Sequence, residues 1–193
     1  MEEFYSLQGE GIHSGKAAYF IRIGGCDVGC HWCDVKESWN PDIHPLTPAS
    51  QIVQNAATCA AKAVVVTGGE PLMYNLDYLC VELKKHGIET YLETSGTYPL
   101  TGLWDWICLS PKRKKEPDNL IFQLANELKI IVIDEDDFAW AEHCATRVNN
   151  DCYLLLQPEW SRRNEIMPRV IRYIQEYPQW RISLQSHKYM GIP

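Results

Sequence analysis

The sequence predicts an α/β fold in which a parallel sheet carries helices on its outer side. Two observations carry that reading. Short apolar segments of strand composition, the plainest being residues 63–67 (AVVVT) and 153–157 (YLLLQ), alternate with segments of helical spacing. The residues after almost every one of those strands are polar, glycine-rich or both, as expected where parallel α/β folds gather function.

Taken in order, residues 17–24 (AAYFIRIG) predict the first buried strand, and residues 51–61 predict a helix with Thr47 as its N-cap and Pro48 in its first turn. Residues 63–67 form the second strand. Residues 76–86 are amphipathic and stop at Gly87, the residue type favoured just past a helix end. Strands follow at 89–93, 106–109 and 128–133, then a helix at 137–147 whose acidic start suits the helix dipole. A strand at 153–157, a helix at 165–177 ended by Pro178 and a short last strand at 181–185 complete the set. Six or seven strands are too few for a closed eight-stranded barrel, so a partial (β/α) barrel or an open α/β sheet remains.

The chain of 193 residues predicts one compact domain over residues 1–193. A formal charge of −7 gives no basic field for nucleic acid. The one dense basic run, Lys112-Arg113-Lys114-Lys115, reads as a solvated loop. No apolar run approaches the roughly 20 residues that span a bilayer. The acidic start Met1-Glu2-Glu3-Phe4-Tyr5 has no apolar core of a signal peptide, which gives a cytoplasmic expectation, although its abruptness leaves room for residues upstream.

Of eight cysteines, Cys59, Cys80, Cys108, Cys144 and Cys152 lie among apolar residues and read as small buried hydrophobes. Cys26, Cys30 and Cys33 differ. They follow the first strand directly in a C-x3-C-x2-C loop with Gly25 and Gly29. Three thiolates so close together can wrap one face of an iron–sulfur cube and leave its fourth iron open. A zinc site with His31 as fourth ligand is the competing reading.

The cysteine loop together with Thr67-Gly68-Gly69-Glu70-Pro71 resembles the radical S-adenosylmethionine (SAM) superfamily, over essentially the whole chain. That resemblance implies a partial TIM-like barrel of six to seven parallel strands, a [4Fe–4S] cluster on Cys26, Cys30 and Cys33, and SAM chelated at the open iron. One electron then cleaves SAM to a 5′-deoxyadenosyl radical that takes hydrogen from substrate. It also implies a SAM site. Gly69 and Glu70 receive the amino group, Trp32, Cys33 and Asp34 belong to the SAM site where the family places an aromatic against the adenine, and Ser110-Pro111-Lys112 and Gln157-Pro158-Glu159-Trp160 add further contacts.

The pattern F-Y-S-x-Q-G-E-G over residues 4–11, followed by Phe20-Ile21-Arg22, narrows the resemblance to the 7-carboxy-7-deazaguanine synthases of queuosine biosynthesis. These are carbon–nitrogen lyases that contract 6-carboxy-5,6,7,8-tetrahydropterin to a deazapurine with loss of ammonia. The residue chemistry agrees. Gln8, Glu10 and the backbone of Leu7 and Gly9 suit the donors and acceptors of a pterin edge, and Arg22 suits a substrate carboxylate. Thr67 offers a hydroxyl, and Gln185 and His187 stand at the last strand end. By resemblance the carboxylate of Pro193 reaches substrate, the enzyme is a homodimer, and a flavodoxin- or ferredoxin-type protein supplies the electron. The family places a Mg2+-binding Thr or Ser where this chain has Val35, which cannot ligate the ion; either the ion is absent, or water and substrate oxygens hold it, or Lys36 replaces its charge. The alternatives are a glycyl-radical-enzyme activase, which shares the cysteine spacing, an iron–sulfur electron carrier and a zinc-stabilised binding module.

Each of Cys26→Ala, Cys30→Ala and Cys33→Ala is expected to abolish iron incorporation on anaerobic reconstitution, while Cys59→Ala and Cys144→Ala retain it. Iron and sulfide analysis with electron paramagnetic resonance checks this, and a reducible four-iron cluster in Cys30→Ala would sink the ligand assignment.

Overall fold

The computed structural model describes residues 2–193. Eight strands form one sheet in sequence order: β1 (Glu2–Leu7), β2 (Ala17–Ile23), β3 (Ala63–Gly68), β4 (Glu89–Thr94), β5 (Trp106–Leu109), β6 (Glu127–Val132), β7 (Tyr153–Pro158) and β8 (Trp180–Ile182). β1 pairs antiparallel with β2, and β2 to β8 are parallel. Among the described residues no ladder joins β8 to β1, so the barrel is partial. Helices α1 (Ala49–Thr58), α2 (Asp77–Lys85), α3 (Asn119–Leu124), α4 (Asp136–Ala145), α5 (Arg163–Glu176) and α6 (Ser186–Met190) complete the order.

Alternation along each strand sorts side chains between two layers. One set, including Tyr19, Ile21, Val64, Val66, Leu92, Leu109, Leu128 and Ile130, packs with Leu79 and Leu83 of α2, Phe122 of α3, Phe138 of α4 and Ile166 of α5. This sheet–helix layer is the main core. The other set points to the barrel interior. There the register lines up Phe4, Phe20, Val65, Tyr91 and Trp106 across five strands as one level. Two residues further along the strands stand Arg22 and Thr67, paired across β2 and β3, and Glu93, Cys108 and Glu127, paired across β4 to β6. The interior therefore changes from aromatic to polar on going toward the strand C-termini, and the polar end is where a ligand would enter.

The predicted strands 2 to 7 match to within a residue or two. Their missed partner is β1, whose EEFYSL mixes acidic and apolar residues as an edge strand does. Thr47 does not cap α1: Pro48 occupies the cap position and no side chain bonds there. The expected strand at 181–185 ends at Ile182, and Gln185 instead precedes α6, a short helix without a strong periodic signal. α3 is equally short and escaped for the same reason. Cys80, Cys108 and Cys144 are buried as expected, while Cys59 and Cys152 are half-buried.

Leu92 is fully buried at the centre of the sheet–helix core. Leu92→Ala is expected to cost about 2–5 kcal/mol of folding stability through lost contacts and a residual cavity. The urea midpoint should fall with an unchanged slope.

Candidate functional site

A cavity of about 510 Å³ opens at the C-terminal ends of the strands. Cys26, Cys30 and Cys33 all line it as half-buried free thiols. Burial pushes the Cys26 and Cys30 thiols up, and the Lys112 ammonium opposes that rise at Cys30. The loop is tied down on several sides. Gly25 N donates to Ser38 O (2.6 Å), Cys26 N to Trp39 O (3.2 Å) and Cys33 N to Cys30 O (3.0 Å).

The basic run is not a solvated loop. Lys115 Nζ and Tyr98 Oη both bond Asp27 Oδ2, at 2.7 and 2.6 Å, and Lys114 Nζ donates to Gly29 O at 2.8 Å. Lys112 turns into the cavity, 5.4 Å from the Trp32 ring centroid, and bonds Ser110 O and Oγ. Three of the four basic residues thus brace or face the cysteine loop.

The donor set fits an iron–sulfur cluster. Three sulfurs face one cavity, and the other five cysteines lie outside its wall. His31 is exposed and also outside the wall, so the tetrahedral zinc set is not assembled here.

The turn after β3 packs directly on the cysteine loop. Gly69 N donates to Ile23 O at 2.9 Å and Glu70 N to Gly25 O at 2.8 Å. A Cβ on Gly69 would stand 2.2 Å from Gly25 O, so only glycine permits this approach. Thr67 and Gly69 line the cavity, but Glu70 does not. Its carboxylate, 1% exposed, accepts from Leu72 N (3.1 Å), Thr94 Oγ1 (2.5 Å), Ser95 N (2.8 Å) and Ser95 Oγ (2.5 Å). The expectation that Glu70 faces an ammonium group is corrected. Its acceptors are spent on the β3 and β4 ends, leaving the glycine backbone to face the ligand. Pro111 is likewise absent from the wall.

The cavity floor sets Glu10 beside two charges, Lys129 and Glu93, that the sequence reading passed over. Lys129 of β6 is 4% exposed, and its Nζ bonds Glu10 Oε2 at 2.6 Å and Glu93 Oε2 at 2.9 Å. Gln8 Nε2 donates to Glu93 Oε1 at 3.1 Å, and Gln185 Nε2 to Glu10 Oε1 at 2.9 Å. Burial alone would raise the Glu10 carboxyl, but the Lys129 charge and its hydrogen bond outweigh this and hold it at about 2. A single lysine between Leu128 and Ile130 in an otherwise apolar strand was the available signal.

At the rim, the loop after β1 meets α6 across the gap in the barrel. Ser186 N donates to Gly9 O at 2.8 Å, and a Cβ on Gly9 would fall 2.2 Å from His187 Nδ1. Lys188 Nζ bonds Asp34 Oδ2 at 2.5 Å and lies 5.2 Å from the Trp160 ring centroid. Ser6 Oγ donates to Pro193 O at 3.3 Å. His187, Pro193, Leu7, Gln157, Pro158, Glu159 and Trp160 all line the cavity. Two of the expected ligand groups are already engaged. Arg22 Nε bonds Glu2 Oε1 at 2.6 Å, and the Glu159 carboxylate accepts from Ser161 and Arg162 at the start of α5. Val35 lines the cavity, whereas Lys36 is exposed and outside it. The substitute ammonium expected from Lys36 is absent from the wall, where Lys188 stands instead.

Residues 20–109 match the Radical SAM superfamily. A 7-carboxy-7-deazaguanine synthase of Flavobacterium psychrophilum is 55% identical over 193 residues, covering 100% of this chain and 91% of the relative. A synthase of the same name from Synechocystis sp. is 50% identical, covering 99% and 91%. The chain belongs to the 7-carboxy-7-deazaguanine synthase family.

The fold agrees with that membership. The crystal structure of QueE from Escherichia coli, 32% identical, superposes with a TM-score of 0.83 over 96% of this chain and 92% of that one. Membership of the radical SAM superfamily implies a [4Fe–4S] cluster and SAM. Among the described residues no helix is long and apolar enough to cross a membrane.

Glu70 is expected to act through the turn. Glu70→Ala leaves Thr94 and Ser95 donors unpaired in a buried place and should cost about 1–3 kcal/mol in the unreconstituted chain. Urea unfolding measures this directly. A variant with wild-type stability and specifically weakened SAM affinity would show that the carboxylate faces the ligand instead.

Proposed function

We propose that the chain converts 6-carboxy-5,6,7,8-tetrahydropterin to 7-carboxy-7-deazaguanine, the product carried in the names of its relatives, with release of ammonia. The observation that supports this most is the meeting of the three cysteines with Gln8, Glu10 and Glu93 on one cavity wall.

Cys26, Cys30 and Cys33 would hold the cluster. When bound, the cluster and SAM supply one-electron cleavage of a carbon–sulfur bond and hydrogen-atom abstraction from substrate. The protein's part is to bind, orient and exclude water. Backbone groups at Gly69 suit the SAM ammonium, and Ser110 and Lys112 provide polar contacts beside Trp32 and Cys33. Gln157, Pro158, Glu159, Trp160 and Asp34 line the same cavity and suit further SAM contacts. Lys112 has no carboxylate partner among the described residues, so its ammonium is free for an anionic ligand group.

Gln8, Glu10 and Glu93 offer a set of acceptors for the amino and ring N–H donors of a pterin, with Leu7 and Gly9 adding backbone groups. Arg22, which shares its guanidinium with Glu2, suits the substrate carboxylate alongside Thr67. Gln185, His187 and Pro193 close the side where the barrel is open. Val35 gives Mg2+ no ligand, so dependence on that ion is expected to be weak. A homodimer and a flavodoxin- or ferredoxin-type reductant complete the proposal.

Anaerobically reconstituted and reduced enzyme, given SAM and the carboxypterin, should form the deazapurine chromophore together with 5′-deoxyadenosine. Added Mg2+ should change turnover by less than about tenfold, or about 1.4 kcal/mol in the barrier. Gln8→Ala should raise the carboxypterin requirement and leave the SAM requirement near wild type. SAM cleavage with no carboxypterin-dependent product would overturn the reading.

A further inference from the structure

Lys129 is a costly residue at its position. It lies between Leu128 and Ile130 of β6 with its ammonium inside the barrel, and burial disfavours that charge. Two carboxylates from different elements compensate. Glu10 arrives on the loop after β1 and Glu93 at the end of β4, each giving one oxygen to Nζ. Their other oxygens are taken by Gln8 and Gln185. Glu93 and Glu10 therefore have fixed orientations, and both line the cavity with Lys129 between them.

The geometry points to Lys129 as the positioning residue of the cavity floor, whose ammonium holds Glu10 and Glu93 together as acceptors for the N–H edge of the pterin. The inference rests on the pterin reading above and deepens it. A pterin's pyrimidine edge presents an amino group beside a ring N–H, which a carboxylate receives with both oxygens and a protonated carboxyl with only one. Without a cation between them, two neighbouring buried carboxylates would retain a proton between them. The other groups facing Lys129 do not replace it. Cys108 on β5 and Glu127 on β6 itself bring no positive charge, and burial already pushes the Glu127 carboxyl up. Lys112 bonds Ser110 and neither floor carboxylate, and burial pushes the His187 imidazole down toward its neutral form. Lys129 is thus the one cation bonded to both floor carboxylates among the described residues.

Carboxypterin binding to the reconstituted, SAM-loaded enzyme tests this, titrated by fluorescence between about pH 6 and pH 9, where ordinary carboxylates are already ionised. Wild-type affinity should be nearly flat over that range. Lys129→Met should weaken the carboxypterin by about tenfold or more at neutral pH with SAM affinity little changed. Its carboxypterin affinity should recover as pH rises, because the retained proton then leaves. Lys129→Arg should restore most of the affinity and the flat profile. If Lys129→Met does not fold, the charge-reduced pair Lys129→Met with Glu93→Gln should fold and bind weakly without the pH dependence. Wild-type affinity in Lys129→Met, an equal loss at every pH, or no rescue by arginine would overturn the role. A wild-type enzyme that fails to bind carboxypterin at all would instead overturn the functional reading.

Discussion

Glu70 joins the ends of β3 and β4 through one buried carboxylate, and the cysteine loop rests on the same turn. Four hydrogen bonds from Leu72, Thr94 and Ser95 satisfy it. Bonds to a charged acceptor in a dry place are among the stronger ones a fold can make, and leaving the donors unpaired would cost most of their desolvation. Because Glu70 N and Gly69 N in turn bond Gly25 O and Ile23 O, the position of the three thiols follows from the position of this carboxylate. The residue that looks from the sequence like a ligand contact is instead the joint beneath the contacts.

The second constraint is the incomplete barrel. Seven parallel strands and one antiparallel strand leave β1 and β8 unpaired with each other, and an open edge must be covered or charged. Here the loop after β1 and the C-terminal helix meet across the gap through Gly9, Ser186 and His187. Glu10 enters the interior from that loop and Gln185 from the start of the helix, so the closure and the polar floor are built by the same residues. Interior charge is tolerated because every carboxylate oxygen on Glu10 and Glu93 has a donor.

The lysine-rich run shows how a surface-like segment acquires a structural task. Its charges read as solvated because a dense polar run carries no local sign of a buried partner. Folding brings Asp27 and Gly29 O within reach from about 85 residues away, and the run becomes an outer brace for the cysteine loop.

The sequence by itself determined the alternation of strand and helix, the cysteine and glycine loops, and the family to which both belong. These are signals of local periodicity and close spacing, written within a few residues of one another. Strand β1 and the short helices α3 and α6 escaped because an edge strand and a single turn or two of helix carry little pattern. Only the tertiary structure decided where the charged groups point. Glu70 turned from the cavity because Thr94 and Ser95 reach it first, and Lys129 turned inward because Glu10 and Glu93 converge on it from chain positions 119 and 36 residues away. A buried charge is placed by the partners that compensate its desolvation, and those partners are neighbours in space rather than in sequence.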